Sequence, residues 1–324
     1  MAKQLLTTKS KLTKTSHVAK EDLNESLFKT IGNTPLLEFS KLNDQFGLNP
    51  NVTIFAKAEW YNAGGSVKSR AALNMILEGE KSGLLKPGIT ILDSTSGNTG
   101  VAYALIGLIK GYHVKIVMPQ NVCGERKQLM SSSYHAEIVY SSPFEGSDGA
   151  IKLCEEIYQQ NPKSYFWPDQ YNNDANWRAH YNSTATEIWE QTGHKVTHFL
   201  AGLGTTGTIM GVSRGLKERF NSDIKAFAVE PAESLHGIEG LKHMPSSIVP
   251  KIYRPDELDG KISVTTDQAY KMVGLIYELY NINIGSSSGA ALAAAVELAS
   301  TLDQDATIVT VLPDSCDCEF TSGG

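Results

Sequence analysis

The chain has 324 residues, 41% of them apolar, enough for one large hydrophobic core or two modest ones. Its 35 acidic residues outnumber 29 basic ones, and the net charge of −6 argues against a nucleic-acid or membrane-surface protein. No apolar run approaches the roughly 20 residues that span a bilayer. Four cysteines (Cys123, Cys154, Cys316, Cys318) are too few for a secreted disulfide framework, so a cytoplasmic setting is expected.

In chain order, the first twenty residues carry five lysines, no acid and no arginine. The stretch 1–26 therefore reads as a basic, disordered tail rather than a targeting peptide. Beyond it, β-branched apolar runs alternate with helical periodicity, the pattern of an α/β protein with mostly parallel strands. Strand 51–60 leads through NAGGSVKSR (62–70) into helix 68–82. Strand 90–95 leads through STSGNTG (94–100) into helix 99–110, which is apolar almost all round and so expected to pack against a sheet. Strand 113–119, helix 124–134, strand 136–141 and helix 147–160 follow. At 161–173 (NPKSYFWPDQYNN) proline, asparagine and aromatic residues mark a domain boundary. Helix 176–192, strand 196–202, helix 208–219, strand 225–230, helices 267–281 and 288–301, and strand 306–314 complete the pattern. Two lobes are expected, a smaller one over 62–170 and a larger one from 27–61 plus 171–324, with the ligand site between them.

Three turns carry the chemistry. Lys68 follows a glycine pair and a small hydroxyl residue where a strand gives way to a helix. A lysine that bonds to a flat aldehyde cofactor needs close backbone approach, which glycine permits, and a pKa lowered by burial or nearby positive charge. The 94–100 turn offers hydroxyls, an amide and helix N-terminal N–H groups to an anion. The third turn, AGLGTTGTIMG (201–211), has the spacing G-x-G-x-x-G at Gly202, Gly204 and Gly207, with Glu230 ending the next strand. Taken alone it fits an NAD-dependent oxidoreductase. Hydroxyls at Thr205, Thr206 and Thr208 suit a terminal phosphate monoester instead, and the dinucleotide reading leaves Lys68 and the 94–100 turn without a role. A pyridoxal phosphate (PLP) enzyme acting on an amino acid uses all three turns. His194 and His198 lie four apart in a turn entering a strand, without the helix and glutamate of a zinc site, so no metal is expected.

IGNTPLLEF (31–39), GGSVKSR (64–70), TSGNTG (95–100), GLGTTGT (202–208) and SSSGAA (286–291) occur in one order at compatible spacing. Together they resemble the cysteine synthase (O-acetylserine sulfhydrylase) and cystathionine β-synthase family of fold type II PLP enzymes. The resemblance covers Ile31 to about Asp314. It implies a tryptophan synthase β-like fold: two open, mostly parallel-sheet lobes with helices on both faces and PLP in the interlobe cleft. Carried over by position, it gives Lys68 the cofactor aldehyde and the proton transfers. Gly204, Thr205, Thr206, Gly207 and Thr208 take the phosphate, Asn98 the 3′ oxygen and Ser287 the ring nitrogen. Thr95, Ser96, Thr99 and Gln170 receive the substrate carboxylate. A hydroxyl at 287 makes the ring a weaker electron sink than a carboxylate would, which suits loss of a good leaving group from Cβ.

The implied reaction is β-replacement on O-acetylserine or O-phosphoserine with sulfide, giving L-cysteine through an aminoacrylate in a homodimer. Cystathionine β-synthase-type and diaminopropionate-forming replacements share the fold and stay open, as does an inactive scaffold. Lys242, in HGIEGLKHMPSSIVP (236–250), stands where the O-phosphoserine-using branch has an arginine, so it is expected to help bind an anionic leaving group; a solvated surface lysine is the bland alternative. Three positions depart from the family pattern: Ala63 for a proline, Ser69 for an aspartate, and His135 for a glycine. If that last site needs a positive φ, histidine tolerates it better than a β-branched residue.

Overall fold

The computed structural model describes residues 26–95, 97–122 and 124–315. Ser96, Cys123, nearly all of the basic stretch 1–26, and the tail with Cys316, Cys318 and the terminal diglycine lie outside the described residues. In chain order the elements are β1 (Leu36–Glu38), α1 (Lys41–Phe46), β2 (Val52–Ala58), α2 (Lys68–Lys81), β3 (Thr90–Ser94), α3 (Asn98–Lys110), β4 (Val114–Pro119), α4 (Gly124–Gln128), β5 (Glu137–Ser141), α5 (Gly146–Gln160) and β6 (Tyr165–Phe166). They continue as α6 (Asp174–Asn182), α7 (Thr184–Gln191), β7 (His198–Gly202), α8 (Gly207–Arg219), β8 (Lys225–Pro231), β9 (Gly260–Val264), α9 (Thr266–Tyr280), α10 (Ser286–Ala299) and β10 (Ala306–Leu312).

Two sheets result. The larger has the order β1-β2-β10-β7-β8-β9, parallel except for β1, which runs antiparallel to β2. The smaller, β5-β4-β3-β6, is parallel throughout. Parallel strands are covered on both faces and so read as apolar runs rather than alternating ones. In β10, Ile308 and Leu312 enter a core with α9 and α10, while Val309 and Val311 enter another with α7 and α8. The smaller sheet packs α2 and α3 on one face, and Leu92 and Val117 meet Ala150 and Cys154 of α5 on the other. Each large apolar side chain so buried contributes roughly 1.5–3 kcal/mol. Helix α3 is buried along Thr99–Ala104, as its apolar circumference requires.

Some expectations need correction. The 161–173 stretch holds β6, a two-residue strand paired with β3. Helix 176–192 is two helices broken at Ser183 (φ −116°, ψ −69°), whose hydroxyl donates to Ala179 O and accepts from Arg70. Helix 124–134 is a short α-turn followed by a π-turn over Leu129–Ser133. His135 has φ 58°, the left-handed conformation that its place in the sequence suggested. Ser69 and Ala63, two of the departures from the family pattern, bond to each other: the Ser69 hydroxyl donates to Ala63 O. Among the described residues no helix is long and apolar enough to cross a membrane.

Candidate active site

The parallel strands put their C-terminal ends at one cleft between the sheets, the usual place for a ligand in open α/β structures. Helix N-termini gather there because α2, α3 and α8 follow β2, β3 and β7. Helix α10 joins them beside Asp314, whose carbonyl oxygen accepts from Ser288 Oγ at 3.0 Å and from Gly285 N at 3.3 Å. Each N-terminus presents unpaired N–H groups and a partial positive charge, so the cleft favours an anionic ligand. The cavity measures about 570 Å³.

Lys68 is the first residue of α2 and lines this cavity. Gly64 (φ 90°) and Gly65 (φ 72°) make the turn before it, in conformations L-residues avoid. The turn is pinned from the end of β10, where Val67 N donates to Pro313 O at 2.8 Å and Ser66 pairs with Asp314. Protein surrounds the ammonium, and this desolvation lowers its pKa, with Asp314 and Glu59 partly offsetting it. Asp314 Oδ2 accepts from Asn98 Nδ2 at 2.7 Å and lies 3.7 Å from Arg126, while burial pushes its pKa up.

The 204–208 loop fits a phosphate monoester. Thr206 is 2% exposed, sits at φ 68°, and its hydroxyl is buried without a hydrogen-bond partner. An unpaired buried hydroxyl held in strained backbone is costly unless a ligand completes it. Thr205 Oγ1 accepts from Asn176 Nδ2 (3.1 Å) and Gly207 N (3.4 Å), leaving its O–H to donate outward. Thr208 Oγ1 lies 3.3 Å from Nε2 of His180, whose Nδ1 is 2.9 Å from Thr184 Oγ1. With Nε2 protonated, Thr208 also points its O–H at the cavity. Gly207 itself backs onto α6, and a Cβ there would lie 1.9 Å from Asn176 Oδ1.

Thr95, Asn98, Thr99 and Gln170 share the same cavity. Thr95 Oγ1 accepts from Gly97 N (3.0 Å), and Thr99 Oγ1 donates to Gln170 Oε1 (2.8 Å). Gln170 Nε2 donates to Ser94 O at 2.5 Å. Behind them Asp93 accepts from Ser94 N (2.8 Å), the Tyr103 hydroxyl (2.9 Å), Trp167 Nε1 (3.2 Å) and Gln170 N (3.3 Å). Ser287 and Lys242 complete the cavity wall; Lys242 is 5% exposed, not a solvated surface lysine, and pairs with Asp148 at 2.6 Å. Of the residues that the family resemblance assigns to cofactor or substrate, the cavity gathers all but Gly207, which supports the loop from behind, and Ser96, which is not described.

Arg126, Asp148, Asn176, His180 and Asp314 were assigned no role from sequence. Asp314 closes the stretch that resembles the family, which is a sequence signal for it. A lone polar residue on a helix face, such as Asn176 or His180, carries none.

Two buried groups behind the site oppose each other in pH. Burial pushes Asp93 from 3.8 to about 7 and His180 from 6.5 down to about 3. From pH 7 to 5 the folded state gains a proton at Asp93 that the unfolded chain does not, which stabilises by about 2 kcal/mol. Over the same range the unfolded chain gains one at His180 that the folded state refuses, which destabilises by about 2 kcal/mol. Urea unfolding at both pH values should therefore show His180→Gln gaining stability on acidification relative to wild type and Asp93→Asn losing it. Parallel pH responses in both variants would contradict these assignments.

The pyridoxal-phosphate dependent enzyme family matches residues 27–314. The cysteine synthase of Aquifex aeolicus (strain VF5) is 46% identical over 293 residues, 90% of this chain and 89% of that one. The crystal structure of O-acetyl serine sulfhydrylase isoform 3 from Entamoeba histolytica superposes with TM-score 0.83 at 37% identity, covering 89% of this chain and 88% of that one. That of the O-acetylserine dependent cystathionine beta-synthase from Helicobacter pylori gives 0.84 at 33% identity, covering 92% and 97%. With a half-buried lysine at a helix N-terminus, a hydroxyl-rich phosphate loop and this likeness along nearly its whole length, the chain belongs to the pyridoxal-phosphate dependent enzymes, among the cysteine synthases.

Proposed function

We propose that the chain is a cysteine synthase that replaces the acetate of O-acetyl-L-serine with sulfide to give L-cysteine. One observation carries this reading: a desolvated lysine at one helix N-terminus shares a cavity with a hydroxyl loop at a second and a polar turn at a third.

Bound pyridoxal phosphate supplies an aldehyde that condenses with amines and a ring that accepts electrons from the α-carbon. Lys68, its pKa lowered by burial, gives up its proton to the reaction with that aldehyde more readily than a free lysine, and its Nζ takes and returns the α-proton. Gly204, Thr205, Thr206, Gly207 and Thr208 hold the phosphate with loop hydroxyls and the N–H groups of α8. Asn98 donates to the ring oxygen, and Ser287 gives the ring nitrogen a neutral hydroxyl. Thr95, Thr99 and the N-terminus of α3 orient the substrate carboxylate, with Gln170 fixing Thr99. Holding the carboxylate there closes the turn over the reacting carbon and excludes water. The proposal includes a homodimer, from the family resemblance, working in the cytoplasm, from the sparse cysteines.

Holoenzyme supplied with O-acetylserine and sulfide should form cysteine, and free serine should replace the donor poorly. No cysteine would overturn the reading. Cystathionine formed from O-acetylserine and homocysteine instead would move the chain to the activity named for the Helicobacter pylori structure.

A further inference from the structure

We infer that Asp148 makes the cavity select a donor whose activating group carries no charge as it binds, by committing the charge of Lys242. The inference rests on the β-replacement reading and concerns the choice between an ester such as O-acetylserine and a phosphorylated serine.

Both residues line the cavity. Lys242 is tied down through its backbone, whose N–H donates to Leu203 O at 2.7 Å beside the phosphate loop. Its ammonium donates to Asp148 Oδ1 at 2.6 Å and sits 5.1 Å from the centre of the Tyr171 ring. The second carboxylate oxygen of Asp148 accepts Ile248 N–H at 2.9 Å. Each oxygen of Asp148 thus has a fixed donor, one of them an ion-pair partner with little access to water. Arg126, on the same cavity wall, also faces carboxylates, in pairs more open to water: Glu239 at 2.8 Å and Asp314 at 3.7 Å.

A phosphate dianion on the substrate side chain therefore meets cations whose charge is already matched by carboxylates. It must either displace the half-buried carboxylate of Asp148 from the buried ammonium of Lys242, or lie beside it as a third party of like sign; both are costly where water is scarce. An acetyl ester brings no charge when it binds and meets neither cost at that step. Specificity of this kind works by repelling the wrong ligand as much as by attracting the right one. Lys242 can bind an anionic leaving group only when Asp148 no longer claims it.

Asp148→Asn keeps an acceptor for Ile248 N–H and removes the negative charge. The ratio of kcat/KM for O-phosphoserine to that for O-acetylserine should rise at least tenfold in this variant. Adding Lys242→Met should return the ratio to the wild-type value. Asp148→Ser repeats the test if the asparagine variant folds poorly. In parallel, inorganic phosphate is titrated calorimetrically into holoenzyme, where the cofactor already fills the 204–208 loop. Asp148→Asn should bind it at least tenfold more tightly than wild type. An unchanged ratio together with unchanged phosphate binding overturns the inference, as does a wild-type preference for O-phosphoserine. If wild type turns over neither donor, the β-replacement reading falls, while the phosphate titration still decides whether Asp148 masks Lys242.

Discussion

Replacing Lys68 with alanine is expected to cut cysteine formation by at least about 10³-fold while leaving the protein as stable as before, or more so. The loss follows from the two tasks given to one nitrogen. Positioned proton transfer alone contributes roughly 10²- to 10⁴-fold, and a covalent role adds to it. The stability half follows from where the nitrogen sits. A cation at the N-terminus of α2 faces the positive end of the helix dipole, and burial has stripped water from it. Alanine removes that charge and is the best helix former. Stability and activity therefore pull apart at this residue, as they do where a site is built against the preferences of the fold. Turnover assayed beside thermal melting separates the two effects. A folded variant with turnover within tenfold of wild type would remove Lys68 from the chemistry.

The parts of this site legible in the sequence are those whose physics is local. Glycines and hydroxyls at 64–70, 95–100 and 202–208 announce strand-to-helix turns because the turn itself demands them, so the cavity could be assembled from three short segments. What stayed hidden depends on residues distant in sequence. Strand β1 exists because Leu36–Glu38 meets Phe55–Lys57, and β6 because Tyr165–Phe166 meets Thr90–Ile91. Neither run is long enough to show a period of its own. The break at Ser183 likewise answers to Arg70, more than a hundred residues earlier. Lys242 was singled out by sequence position, but whether its charge is available was decided by Asp148, which only the fold brings near.

The largest structural loss is expected at Arg70. Its guanidinium holds Glu59 through Nε (2.7 Å) and Nη2 (2.9 Å), and Glu187 through Nη1 (2.6 Å) and Nη2 (2.8 Å). Lys57 Nζ completes the set with Glu187 (2.7 Å), Gln191 Oε1 (2.8 Å) and Thr34 O (2.6 Å). Two cations and two carboxylates thus balance inside the protein, with Glu59 and Lys57 fully buried. Burial alone would raise Glu187, but Arg70 and Lys57 hold it down to about 2, so it adds stability above pH 4.5 that is lost as the pH falls toward 2. Arg70→Met leaves two carboxylates to one lysine and should cost about 3–5 kcal/mol in urea unfolding, the usual result of orphaning a buried charge. Arg70→Lys should recover little, because an ammonium cannot fork between two carboxylates. Glu59→Gln added to Arg70→Met should return part of the loss, since it removes one of the orphaned charges. The consequence reaches the site, because Arg70 stands two residues beyond Lys68 on α2 and Asn62, bonded to Glu59 at 2.7 Å, begins the turn before it. Loosening this network should therefore release the cofactor more readily as well as lower stability. A loss below about 1 kcal/mol in Arg70→Met would mean that water or a local shift satisfies the carboxylates, and that the turn carrying Lys68 is held by its glycines and the Val67–Pro313 bond instead.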